Sequence, residues 1–447
     1  MGDYKQRTGP APGRPVGGTM RRSAGSPGSA PVQAGGRGAW PCENAAVARP
    51  RILALIQAGG AGGRMDVLTR ERAKPALPFA GVYRLVDFPL SNLAHSGISD
   101  VWVSVQFQGG TIEEAVFNGR PWDLDRTSGG LRLLAPEQGT GSSDEAGFAE
   151  GNADLLFRIR DQVRAFDPEL VVVLSSDHVY RFDYTEAIET HRSLGAECTI
   201  VTSEVSLAEA VDHATVEHDE QQRVTGFAYK PEEPTTGTVA TEVFVYDPQV
   251  LITVLEELHH ERSVDPDGFD NGLGDFGESL VPRMVDRGRT VVHPMAGYWR
   301  DVGKPDKYLA AHRDVLTGDL GIFDDPRWPI MTRQPQRVPG RVLAGGRVED
   351  SLLSPGVRVH GEVVRSVLGP GVVVEQGAVV RDSIIFADCV VSAGATVDTT
   401  IVDEGCLVAA GSTVGGSGEV TIVGRDSIVQ QQLDPGSRLE PGTTRPA

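Results

Sequence analysis

The sequence predicts an α/β protein with a mostly parallel sheet and flanking helices, followed by a C-terminal left-handed parallel β-helix. Three observations carry this reading. From residue 51 short apolar runs alternate with amphipathic stretches, a glycine-rich loop follows the first of those runs, and beyond residue 350 four similar stretches succeed one another. A chain of 447 residues is also too long for one ordinary core, so more than one domain is expected.

Residues 1–50 hold ten Gly and seven Pro without a periodic apolar pattern and read as a disordered tail. From there "RILALIQ" (51–57), "DVWVSVQ" (100–106), "LVVVLSSD" (170–177), "ECTIVTSEV" (197–205), "RVTGFAYK" (223–230) and "TEVFVYD" (241–247) read as strands. Between them "FPLSNLAHSG", "NADLLFRIRDQVRAF" and "YTEAIETHRSLG" read as amphipathic helices, each closed by Gly or a loop. Such alternation sets strands side by side in parallel and places ligand beyond their C-terminal ends, where residues 58–65, Asp177 and Lys230 fall. The polar segment 136–147 has nothing apolar to bury and reads as a mobile loop. The expected catalytic domain is 51–320, with a proline-interrupted linker at 321–337.

The repeats begin at Ser351, Ser366, Ser383 and Thr400, in steps of 15, 17 and 17 residues. Inside each, Val, Ile or Leu recurs about every six residues with Gly or Asp at the corners, the pattern of a triangular prism whose turns each supply three short strands. The β-helix is expected over 338–430, and 431–447 as a flexible tail. Cys389 and Cys406 occupy matching places in adjacent turns and read as stacked apolar fillers.

A formal net charge of −19 argues against nonspecific binding to nucleic acid or to an anionic membrane. No apolar run approaches the 18 residues of a membrane span, and the N-terminus lacks the apolar core of a signal peptide. Four cysteines without a CxxC pair suit a reducing cytosol, and a cytoplasmic location is expected.

The chemistry gathers at "AGGAGGRMDVLTRERAKPALPFAG", residues 58–81, where glycines meet an arginine and further basic residues directly after an apolar strand. Backbone N–H groups and positive charge suit phosphate, although the segment has neither the G-x-x-x-x-G-K-[ST] nor the G-x-G-x-x-G spacing. Asp177 alone reads as a helix cap, and Asp301 as a turn former before glycine.

Together with "SSDHVYRFDY", "DFGESLVP" and "YWRDVGKPDKY", that segment gives the chain a family likeness over roughly residues 51–425. It resembles the glucose-1-phosphate adenylyltransferases, the bacterial ADP-glucose pyrophosphorylases, within the sugar-phosphate nucleotidyltransferases. The resemblance implies conversion of ATP and glucose 1-phosphate into ADP-glucose and pyrophosphate, with Mg2+, for glycogen or α-glucan synthesis. It implies that Ala58, Gly59, Gly60, Gly62 and Gly63 wrap the nucleotide, with Gln106, Gly151 and Asp154 facing the base or the sugar. It sets Arg64 against the departing phosphates, Lys74 amid the reacting charge, Asp177 and Asp301 on the metal, and Lys230 on the phosphate of the sugar. His178 is expected as a structural neighbour of the metal site rather than a base. A homotetramer controlled by a metabolite effector is implied as well, with Arg70 and Arg72 either facing a phosphorylated activator or standing as plain solvated charges.

The sugar side departs from the family pattern. Tyr229 stands where "EKP" has glutamate, "GNADLL" replaces "GTADA", and Thr241, Glu242 and Val243 replace "SMG". Tyr229, Thr241 and Glu242 are therefore candidate sugar contacts. The departures keep open a different sugar 1-phosphate, or a weakly active regulatory paralogue in a mixed oligomer.

Overall fold

Runs such as "ILALI" and "LVVVL" leave no side for water, and both become central strands covered on two faces. The computed structural model describes residues 51–445 except 61, 136–148, 150, 264–271 and 319. The expected tail 1–50 and the loop 136–147 lie outside these residues. Ile52–Ala58 pairs in parallel with Leu170–Ser175 on one side and Asp100–Val105 on the other, and Gly130–Leu134 extends the parallel set. Alternation along each strand feeds two cores: Ile56, Val172 and Leu174 point to one face, and Leu55, Val171 and Val173 to the other.

The second half of the sheet is largely antiparallel, although Thr290–Pro294 joins Cys198–Glu204 in parallel. Thr238–Tyr246 runs against both Leu170–Ser175 and Cys198–Glu204, and Ala214–His218 with Val224–Tyr229 forms a further antiparallel pair. Ala214–His218 and Val224–Tyr229 run antiparallel because the few residues between them are too short for a crossover helix. The result is a mixed nine-stranded sheet with flanking helices. None of the described helices is long and apolar enough to cross a membrane.

Beyond Gly340 the chain winds into three parallel sheets of seven, five and six strands, one per face of a left-handed prism. Register follows the repeat, since Val367 pairs with Ile384, and Ile384 with Ile401. Cys389 and Cys406 are each 1% exposed inside it, and their thiols donate to the carbonyls of Asp403 and Gly424. The segment from 431, expected as a flexible tail, instead supplies the strands Arg438–Leu439 and Thr444–Arg445, which pair with the coil before. The repeat fades there because the step from Ile401 to its partner Ile422 spans an inserted "GGSGE" corner, and the next partner is Arg438 rather than an apolar residue.

One face of the prism carries apolar doublets, and the two members serve different cores. Leu368, Ile385, Val402 and Val423 fill the prism interior, whereas Val367, Ile384, Ile401 and Ile422 pack outward against Met65, Leu68 and Tyr308 of the catalytic part. The hairpin at Gly81 approaches this joint so closely that a Cβ there would lie 2.3 Å from the Ser354 hydroxyl oxygen, and its φ of 85° also favours glycine. Residues 321–337 form neither helix nor strand and dock on the helix Asp87–His95, with Trp328 Nε1 donating to Asn92 Oδ1 at 3.0 Å.

Candidate active site

The strand Leu170–Ser175 ends in two serines and Asp177, after which His178–Tyr180 pairs antiparallel with Trp299–Asp301. In that ribbon Asp301 is the direct partner of His178, so residues more than a hundred positions apart meet at one strand end. Lys74, 7% exposed in the turn Lys74–Ala76, forms an ion pair with Asp177 and lies 3.8 Å from Asp301. Burial alone would lower the lysine pKa, but the two carboxylates outweigh it and hold it above the ordinary range. The converse holds for Asp177 and Asp301, which burial would raise but which Lys74 keeps low. All three are therefore charged at neutral pH.

A β-bulge supplies a third carboxylate. The register of Thr238–Tyr246 slips between Ala240 and Val243, and Glu242 takes a φ of 57° in the slip. The displaced Glu242 lines the cavity, with Oε2 4.0 Å from His178 Nε2. Burial pushes its carboxyl up, His178 opposes this, and Asp177 and Asp301 add to it. His178 Nδ1 lies 3.1 Å from the Thr241 carbonyl, which can only accept, so Nδ1 carries a proton. Its Nε2 then faces Asp177 at 3.6 Å, Asp301 at 3.8 Å and Glu242 at 4.0 Å. Nε2 and the three carboxylates together present a set of ligand atoms that a cation could bridge. Asp177, His178 and Glu242 place ligand atoms within 4.8 Å of one another, a candidate divalent-metal cluster.

Of these groups Lys74, Asp177 and Glu242 line a cavity of about 370 Å3. The structure brings Ala58, Gly59, Gly60, Gly62, Gly63, Arg64, Lys74, Gln106, Gly151, Asp177, Tyr229, Lys230 and Glu242 to its walls. Gly59 is tight against Gln106, whose Cδ would sit 3.1 Å from a Cβ. Asp301 lies at the edge, where it lines a second cavity on its far side together with His213, Trp299 and Lys307.

Two expected site residues are elsewhere. Thr241 is fully buried and donates its hydroxyl to the Val201 carbonyl at 2.9 Å, because the bulge turns its side chain into the sheet packing and leaves the cavity to its neighbour. Asp154 is 3% exposed and takes a 2.7 Å bond from Arg158 Nε one helical turn on, where it holds the chain at Gly272 and Leu273. Sequence reasoning passed over Ser175 and Asp275. Ser175 donates to the Asp177 carboxylate, and the "SSD" run was its only signal. Asp275, in the motif "DFGESLVP", accepts from the Tyr229 hydroxyl at 3.0 Å, and Lys230 Nζ donates to the same hydroxyl at 2.8 Å.

The chain is similar to known proteins over most of its length. The model of the Nucleotidyl transferase family matches residues 53–318, and that of the GlmU-like C-terminal hexapeptide matches 337–421. Glucose-1-phosphate adenylyltransferase of Clostridium perfringens strain 13 is 34% identical over 346 residues, 77% of this chain and 85% of that protein. The protein of the same name from Clostridium acetobutylicum is 35% identical over 75% of this chain and 86% of its own length. That of Fervidobacterium nodosum is 33% identical over 75% and 78%.

Proposed function

The chain belongs to the nucleotidyl transferase family and is an enzyme of that class, and we propose that it is an adenylyltransferase joining ATP to glucose 1-phosphate to give ADP-glucose and pyrophosphate. The observation that carries this reading is Lys74 paired with Asp177 in the lining of a cavity that also bears the glycine loop and Lys230, with Asp301 3.8 Å from the lysine.

In this reading the glycine loop holds the nucleotide by its backbone and Arg64 binds the β- and γ-phosphates through its planar fork of donors. Lys230 holds the sugar phosphate and aligns one of its oxygens with the α-phosphorus. That oxygen forms the new P–O bond as the bond from the α-phosphorus to the bridging oxygen breaks, and pyrophosphate leaves with the electron pair. The attacking phosphate is already ionised, so no base has to take a proton. Lys74 offsets the charge that builds between the two phosphates. Mg2+ held by Asp177 and Asp301, with Glu242 alongside, would supply charge neutralisation at the reacting phosphates.

Glu242 and Tyr229 in the cavity wall favour a second reading, in which the sugar 1-phosphate is not glucose 1-phosphate. The test is pyrophosphate release with magnesium, crossing ATP, GTP, UTP and TTP with glucose, glucosamine, galactose and mannose 1-phosphates. ATP with glucose 1-phosphate is expected to be fastest, and Asp177→Ala and Asp301→Ala to remove the activity. A faster reaction with another sugar phosphate would replace the substrate, and no reaction with any pair would remove the catalytic roles. The family likeness further supports a homotetramer with a metabolite effector, and light scattering of the purified chain checks the mass.

A further inference from the structure

We propose that Arg438, in the last coils of the β-helix, is a positioning residue for the phosphate-binding loop, acting on Arg64 through the turn at Asp66. The inference rests on the reading of Arg64 as a phosphate ligand.

One column of the prism runs Leu352, Val367, Ile384, Ile401 and Ile422 in successive coils, each paired in register with the next, and from Val367 to Ile422 it packs against the catalytic part. All are apolar, and the next partner in the column is Arg438. A guanidinium at the end of such a column would merely be solvated if nothing stood opposite. Instead its Nε donates to Asp66 Oδ2 at 2.8 Å. Its Nη1 donates to the carbonyls of Val420, Gly436 and Ser437, so the guanidinium is fixed to the β-helix before it reaches Asp66.

Asp66 needs a restraint. Its φ of 58° and ψ of −135° are freely taken by glycine and disfavoured for any residue with a Cβ. On either side Met65 and Val67 are buried, so relaxation of Asp66 would rotate the peptide units that lead back to Arg64. The Thr69 hydroxyl bridges the Gly62 and Asp66 carbonyls at 3.0 and 3.2 Å, which makes residues 62–69 one mechanical unit. Holding Asp66 on the β-helix therefore fixes the glycine loop and Arg64 together. The Arg438–Asp66 side chains are about a third exposed, at 33% and 35%, whereas those of the neighbouring Arg70–Glu440 pair are 58% and 59% exposed at 3.3 Å.

The test uses the full chain and two independent readouts. Hydrogen exchange by mass spectrometry is expected to quicken about tenfold over residues 62–69 in Arg438→Ala, with the coil strands from 367 to 408 unchanged. In pyrophosphate release, kcat/KM for the nucleotide is expected to fall about tenfold while KM for the sugar phosphate holds. Asp66→Gly in the Arg438→Ala background removes the backbone strain and should recover most of the lost kcat/KM. Glu440→Ala should alter neither readout. Unchanged exchange over 62–69 in Arg438→Ala, or no recovery on adding Asp66→Gly, overturns the proposal. A wild-type chain without nucleotidyl transfer overturns the functional reading instead, and the exchange measurement still decides whether the clamp exists.

Discussion

Lys74 is surrounded by acids and almost out of water, so its charge bears on the fold as well as on the proposed reaction. Lys74→Met is expected to stop pyrophosphate release and also to destabilise the fold by about 3–5 kcal/mol, because two buried carboxylates lose their counter-charge. Urea unfolding beside the activity assay separates the two effects. Thr241 and Glu242 show the opposite relation between neighbours. Thr241→Val should cost about 1–3 kcal/mol by leaving the Val201 carbonyl unpaired, with KM for both substrates unchanged. Glu242→Met should instead alter the ranking of sugar phosphates with little effect on the unfolding midpoint. The residue types of the site were legible in the sequence, since Arg64, Lys74, Asp177 and Lys230 all line the cavity. Which member of the Thr241–Glu242 pair faces it was not, because one slip of register reverses the alternation of a strand.

At the scale of elements, the helix Asp87–His95 opens on a fully buried carboxylate whose Oδ2 accepts from the Arg84 backbone N–H at 2.8 Å. Burial raises the Asp87 pKa from an ordinary 3.8 to about 7. The folded state therefore holds the proton more tightly than the unfolded state. Its contribution to stability is complete below the ordinary value, declines as pH rises, and is lost above about 7. The span of that loss is on the order of 4 kcal/mol. Asp87→Asn should therefore be more stable relative to wild type at pH 8 than at pH 5, as urea midpoints at the two values would show. The strands, helices and coil repeat could be read from periodicity, whereas the antiparallel half of the sheet could not. A short apolar run looks the same in either direction, and only the lengths of its connections decide.

At the scale of the molecule, the catalytic part and the β-helix share one apolar core and a buried ion pair between Arg72 and Asp403 at 2.9 Å. Glu404 stands by at 3.2 Å from the same guanidinium. Asp403→Asn is expected to cost toward the lower end of the ~3–5 kcal/mol typical of a broken buried pair, since Glu404 remains to face Arg72. Thermal unfolding should show the loss as a lower transition temperature.

The sequence by itself determined the two architectures, the glycine loop that lines the cavity and the family, because apolar periodicity and a contiguous motif survive without knowledge of what lies opposite. Tertiary structure alone decided that Asp301 is the strand partner of His178, that Glu242 rather than Thr241 enters the cavity, and that the doublets of one prism face serve two cores. Each of these depends on the distance between residues far apart in the chain, and strand pairing rather than local spacing sets that distance.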